Sequence, residues 1–205
     1  MPTKKKPKKR AAPKRRAPKK KVAKKKKIAK KKVAKKPQVL SKKLEKYLDD
    51  SKARYNTVEH RTVYTAYDAA QTLKRPLSDV AKTLVILADR DVLIVVIPAH
   101  RRLDLKALKK VVNKDRDASE LARAKKLKLT TERTIDSRLT NKPGAISPFG
   151  HLHKSRTYVD RLLTKPREIV INGGSFTLSI VMSPKEYVRV TMAVIGGISV
   201  ARPKK

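Results

Sequence analysis

Two stretches of this chain could take part in chemistry. Lys82 heads the aliphatic run "KTLVILA", where a lysine is unusual. Residues 144–148 read "GAISP", within "NKPGAISPFG" at 141–150, which holds two glycines and two prolines. No acid occurs in that segment, and Ser147 has no base beside it in the sequence. What these residues can offer is positioning and charge. A compact cation can face a developing oxyanion, and a rigid loop can fix its N–H and C=O groups while Gly144 lets a substrate approach closely. Each has a plainer reading. Lys82 could snorkel from a strand end, and the loop could be a turn whose glycine needs positive φ. Spacing alone favours these plainer readings. His60 precedes a strand end. His151 and His153 could share one face of an extended segment, but two histidines without a third ligand are more often surface residues than a metal site. The chain has no cysteine, so disulfides, thiolate zinc sites and cysteine nucleophiles are excluded. No metal and no cofactor are expected.

The elements that would hold these residues begin near Val39. Leu40, Leu44 and Leu48 recur at helical intervals, predicting a helix near 41–53. A short strand is expected around 57–63. Thr65 then starts a second helix, with Asp68 at the capping position. Two continuous aliphatic runs, 83–88 and 92–97, flank Asp89-Arg90-Asp91, predicting an antiparallel hairpin covered on both faces. Asp104 can cap a helix carrying Leu105, Leu108, Val111 and Val112. A strand is expected at 127–129 and a helix at 131–139. Three strands follow, "RTYV", "EIVIN" and "FTLSIVM", with Asn172-Gly173-Gly174 as a hairpin turn between the last two. Ser183, Pro184 and Glu186 mark another helix start. "AVIGGISV" forms a last strand. The expected class is α+β: a mixed, largely antiparallel sheet forming an open barrel-like core flanked by helices.

Residues 1–37 stand apart. They carry 21 of the 55 Lys and Arg residues and no acid, and the chain as a whole has a net charge of +38. Apolar residues there are too sparse for a core, so a disordered tail is expected at 1–37 and a folded domain at 38–205. "KVAKK", "KIAKK" and "KVAKK" recur in it, placing Lys24, Lys25, Lys26, Lys27, Lys30, Lys31 and Lys32 as candidate nucleic-acid contacts. The composition resembles linker-histone tails. DNA, rRNA or the ribosome are the candidate partners, and a solubilising or import-signal extension is the plainer reading. No apolar run approaches the roughly 20 residues needed to cross a bilayer. The start lacks the apolar stretch of a secretory signal, so a cytoplasmic protein with no membrane partner is expected.

"VAKTLVI", "VVIPAHRRLDLKAL", "PGAISPFG" and "YVD…EIVINGG" follow one another here as they do in the YbaK/prolyl-tRNA synthetase editing-domain family. The chain resembles that family from about Leu40 to Ile198. The resemblance implies an aminoacyl-tRNA deacylase that hydrolyses the ester of mischarged tRNA, with proline tRNA carrying cysteine or alanine as one substrate. It implies the acceptor end of tRNA and an aminoacyl-tRNA synthetase as partners, and a barrel-like mixed sheet. The family's lysine and Gly-x-x-x-Pro loop fall on Lys82 and Gly144 to Pro148. Lys82 and Gly144 are thereby the catalytic candidates, with Ala145, Ile146, Ser147, Pro148 and His60 as substrate-binding candidates. Thr140 and Asn141 stand where many relatives have glycine and an apolar residue, at positions that shape the amino-acid pocket. Asn172 and Gly173 match an architectural turn, and Asp160 matches with a structural role at least as favoured as a binding one. The alternative is a non-catalytic nucleic-acid- or ribosome-binding protein that retains the fold.

Overall fold

The computed structural model describes residues 40–131, 135, 139 and 144–203. They run α1 (Lys42–Asp50), β1 (Asn56–Glu59), α2 (Ala66–Leu73), β2 (Ala81–Ala88), β3 (Asp91–Pro98), β4 (Arg101–Leu103), α3 (Leu105–Ala118) and β5 (Leu127–Leu129). A 3₁₀ turn (Gly150–His153), β6 (Arg156–Asp160), a second 3₁₀ turn (Arg161–Thr164), β7 (Ile169–Asn172), β8 (Leu178–Met182), α4 (Pro184–Thr191), β9 (Val194–Gly196) and β10 (Ser199–Ala201) complete the order. The tail lysines, Thr140 and Asn141 lie outside the described residues, as does most of the helix expected over 131–139.

Local chemistry starts each helix. Ser41 accepts from the Leu44 N–H at the head of α1. Thr65 and Asp68 close a reciprocal capping box on α2. Asp104 accepts from Lys106 and Ala107 N–H, and Ser183 caps α4 with Pro184 in its first turn. Each such cap satisfies an otherwise orphaned donor and contributes about 1 kcal/mol.

Among the described residues three sheets form, none closed into a barrel: β5-β2-β3-β6-β9, β1-β8-β7, and the pair β10-β4. Antiparallel pairing dominates, while β3–β6 and β6–β9 are parallel. The five-stranded sheet explains the unbroken apolar runs. On one face Val85, Ile94, Val96 and Val159 pack with β7, β8, α1 and α4 through Ile171, Ile180, Leu44 and Tyr187. On the other, Ile86, Leu93, Val95, Ile97 and Tyr158 pack against Leu108 and Val112 of α3. A third cluster, with Ala69, Ala70, Val80 and Val170, lies beneath α2. Leu44 and Leu48 are fully buried, which at their size stabilises by roughly 1.5–3 kcal/mol each.

The structure corrects several expectations. Ala88 pairs with Asp91, so the hairpin turn is Asp89-Arg90 alone, with Asp89 at φ 54° and its carboxylate accepting from Lys125 and Lys126 N–H. β1 ends at Glu59, because His60 and Val63 turn their N–H groups to the carbonyls of Thr177 and Phe176. Asn172 pairs with Ser179, so β7 and β8 are joined by a longer loop rather than a tight Asn-Gly-Gly turn. The expected last strand is two. β9 continues the large sheet, whereas β10 leaves it to pair with β4. Asp160 explains the break: buried, it accepts from the N–H of Ile198 at 3.0 Å, and the Ile198 carbonyl accepts from Asp104 N–H. Among the described residues no helix is long and apolar enough to cross a membrane.

Glu186 joins the two ends of this domain. Its carboxylate takes both donors of the Arg189 fork at 2.7 and 3.2 Å and the Arg54 N–H at 2.9 Å, tying α4 to the segment after α1. Arg189, then Arg54, hold its pKa down to about 2. The carboxylate therefore stabilises the fold fully above its unfolded value, about 4.5, and that contribution is lost as pH falls toward 2. Glu186→Gln keeps the shape and removes the charge. Its melting temperature should fall below wild type at neutral pH, and the gap should close between about pH 4.5 and 2. A gap independent of pH over that window would refute this role.

Candidate functional site

A cavity of about 530 Å³ opens where the first half of β2, the start of α2 and the β7–β8 pair meet. Its position explains why β2 is less buried at Lys82, Thr83 and Leu84 than at Val85 and Ile86. Val63, Ala69, Val80, Ala81 and Val170 make an apolar wall. Into it project Lys82, Gly144, His60, Ile146, Asn172, Ser179 and Arg202. Four sequence candidates, Lys82, Gly144, Ile146 and His60, thus converge from separate parts of the chain. Ala145, Ser147 and Pro148 are buried and do not line it.

Lys82 is half-buried, and its Nζ donates to the Arg101 carbonyl at 3.0 Å. Burial, with a smaller repulsion from Arg202, lowers its pKa. The group is therefore a desolvated cation with one fixed hydrogen bond and two further donors.

The loop at 144–150 is held as backbone. Asn172 Nδ2 donates to the Gly144 carbonyl at 3.2 Å, His153 Nε2 to the Ser147 carbonyl at 3.1 Å, and Tyr187 OH to the Pro148 carbonyl at 2.8 Å. Thr157 Oγ1 accepts from the Gly150 N–H. Gly144 has φ +84°, the left-handed region that favours glycine, and a Cβ there would meet Phe176 Cε1 at 3.0 Å and the Tyr64 carbonyl at 3.4 Å. Ser147 Oγ is buried and has no partner among the described residues.

The histidines resolve differently. His151 and His153 sit on a 3₁₀ turn rather than an extended segment. The His151 ring stacks on Tyr47, while His153 anchors the loop with its pKa lowered by burial. His60 faces the cavity. Its Nδ1 lies 2.8 Å from the Arg61 carbonyl, which can only accept, so Nδ1 carries the proton. In the neutral ring Nε2 is then the acceptor for Ser179 Oγ at 2.9 Å. Ser179, buried and second in β8, was not picked out in the sequence. Its only local signal is a hydroxyl inside the apolar run "LSIVM". Asp160, by contrast, serves the strand break and the second 3₁₀ turn, whose Leu162 N–H it caps.

The arrangement can bind a small, mostly apolar group against the Val/Ala wall and present a cation, a fixed loop backbone and an imidazole–hydroxyl pair to it. A family model described as the aminoacyl-tRNA editing domain matches residues 60–190. No curated protein matches the chain. The crystal structure of the hypothetical protein APE2540 superposes with a TM-score of 0.65 at 22% identity, covering 77% of this chain and 99% of that one. A candidate trans-editing enzyme for prolyl tRNA synthetase superposes at 0.63 with 20% identity, covering 80% of this chain and 100% of that one. At such identities the likenesses show the fold alone.

A cation drawn from water without a carboxylate should cost the fold something. Because the Lys82 pKa lies below its ordinary 10.5, the protonated form is penalised in the native state, and the penalty is relieved as pH rises toward that unfolded value. Lys82→Met, apolar and of similar length, should melt at or above wild type at pH 7, with its advantage shrinking as pH approaches 10.5. A variant several degrees less stable at neutral pH would show instead that the ammonium supports the fold.

Proposed function

Because the chain belongs to the aminoacyl-tRNA editing-domain family, we propose that it hydrolyses the ester of mischarged aminoacyl-tRNA, acting in trans in the cytoplasm where such esters are made. The observation that carries this reading is the meeting of Lys82 and Gly144 in one cavity. The water oxygen bonds to the ester carbonyl carbon, the carbonyl oxygen gains negative charge, and the bond to the ribose oxygen breaks with a proton passing to that oxygen. Lys82 faces the developing charge, and the loop fixed by Asn172, His153 and Tyr187 sets the ester's position. His60 Nε2 accepts from the Ser179 hydroxyl, whose own lone pairs are then placed to accept from the water or the substrate amine. The Val63, Ala69, Val80 and Val170 wall suits a small side chain, so proline tRNA carrying alanine or cysteine is the first substrate to assay. The synthetase that makes the error is the natural partner. Residues 1–37 tether nucleic acid through counterion release, and residues 38–205 form the catalytic domain.

The full chain should deacylate at least one of a panel of mischarged tRNAs. Lys82→Ala should lower the rate by roughly 10²-fold or more without unfolding, and Lys82→Arg should not restore it, since a planar fork replaces a point charge. If Lys82 acts as a cation, wild-type activity falls as pH rises through its lowered pKa, below 10.5. Gly144→Ala meets both a positive φ and Phe176. Its melting temperature should drop by only a few degrees, about 1 kcal/mol in a domain of this size, while turnover collapses. Ala145→Gly, the control, should be mildly impaired. A wild type inert on every substrate would sink the hydrolase reading and leave a binding protein, whereas a fully active Lys82→Ala would return that lysine to a structural role.

The tail is tested separately. Removing residues 1–37 should weaken tRNA binding and flatten its salt dependence, by about 0.7 to 0.9 in slope for each phosphate that the tail had neutralised, with the rate at saturating tRNA preserved. An unchanged slope would show that the tail does not tether.

A further inference from the structure

A second cation stands in the cleft. Arg202 lines the same cavity as Lys82, twelve residues beyond the end of the family match at residue 190. Its guanidinium carbon lies 4.9 Å from the centroid of the Tyr67 ring, so the arginine is spread over an aromatic surface at the start of α2. That contact occupies a face of the fork and leaves its N–H edge for an in-plane acceptor.

The placement is built by the fold. β10 pairs with β4 so that Ala201 lies opposite Arg101, which puts Arg202 one step further along. The Arg101 carbonyl takes the Lys82 ammonium, and its guanidinium donates to the Ser199 carbonyl at 3.2 Å and to Ser199 Oγ at 3.4 Å. One residue therefore seats both cations. Such proximity is unfavourable on its own, and Arg202 disfavours the charged form of Lys82. Among the described residues no Asp or Glu lines the cavity, and neither cation forms an ion pair with a carboxylate. An arrangement of two uncompensated cations is complete only with an anion between or beside them.

We infer that Arg202 is the phosphate-binding residue of the cleft, taking the phosphodiester that joins the terminal adenosine of the RNA to the nucleotide before it. This rests on the tRNA reading above and adds the group that anchors the RNA end. A guanidinium fork matches two phosphate oxygens, whereas Lys82, already tied to a carbonyl, is left to the ester. The rim beside Gly144 is consistent with a nucleotide: Tyr64 is 69% exposed, with its ring 5.3 Å from that of Phe176.

The test compares two fragments on the full chain, adenosine and the dinucleotide cytidylyl-(3′,5′)-adenosine, by calorimetry or by NMR titration. Wild type should bind the dinucleotide on the order of tenfold more tightly, the scale of one charge-assisted phosphate contact. In Arg202→Gln the ratio of the two affinities should collapse toward one. Arg202→Lys, which retains charge but loses the fork, should recover only part of it. With the aminoacyl esters of the same two fragments, Arg202→Gln should raise KM for the dinucleotide ester more than it lowers kcat. A ratio unchanged in Arg202→Gln overturns the proposal. So does a ratio lost in Lys82→Met but kept in Arg202→Gln, which would give the phosphate to the lysine. If wild type binds the dinucleotide through Arg202 yet hydrolyses no ester, the phosphate site stands and the hydrolase reading alone falls.

Discussion

A primary ammonium beside an apolar wall needs a fixed acceptor, and for Lys82 it is the carbonyl of Arg101. Much of the cleft depends on that bond. It joins the first residues of β2 to β4, the β4–β10 pair continues from it, and the Arg101 side chain clamps Ser199 on the far strand. The β2–β3 register has the same consequence from the other side. Lys82 stands opposite Ile97, and neighbours alternate between the face under α3 and the face under β7 and β8. Lys82 shares the α3-side parity of Leu84, Ile86 and Ile97, and a slip of one residue would turn it to the face of Val85, among the core residues of β7 and β8. Burial on both faces makes such a slip costly, so the same aliphatic runs that stabilise the sheet also aim the cation.

The loop at 144–150 shows how neighbouring side chains can fix a backbone in place. Its carbonyls are held by side chains from β7, from the 3₁₀ turn and from α4, and one of its N–H groups by a threonine of β6. Tyr187 and Phe149 pack edge to face beneath it. Groups fixed this way need no reorganisation when a ligand is positioned against them. The glycine sits at the exposed end of the loop, and burial sets in at the next residue.

What could be read from the sequence was local. Ser41, Thr65 with Asp68, Asp104 and Ser183 start helices by short-range hydrogen bonds, and the structure has those caps. The hairpin was legible from two aliphatic runs, apart from one turn residue. Lys82 and Gly144 were picked out by resemblance, since their spacing alone favoured plainer readings. Ser179 and Arg202 gave no usable sign. Ser179 meets His60 across 119 positions, and Arg202 reaches the cleft only because Asp160 and Asp104 hold Ile198 and turn β10 out of the large sheet. The break inside "AVIGGISV" was invisible for the same reason, since the carboxylate that stabilises it lies 38 positions earlier.

The pairing of β1 with β8 also has a meaning in time. Asn56–Glu59 can complete its ladder only against Leu178–Met182, and β4 only against Ser199–Ala201. A chain growing from its amino end makes the β2–β3 hairpin early, from neighbouring residues, but must wait for more than a hundred further residues before β1 finds its partner. Loop closure over that distance is slow even where its entropic cost grows only logarithmically. During synthesis Lys82 can therefore sit in register on a formed hairpin while the opposite wall of the cleft is still unmade. The cleft is among the last parts of the domain to exist, and a nascent chain lacks it until its final strand has docked.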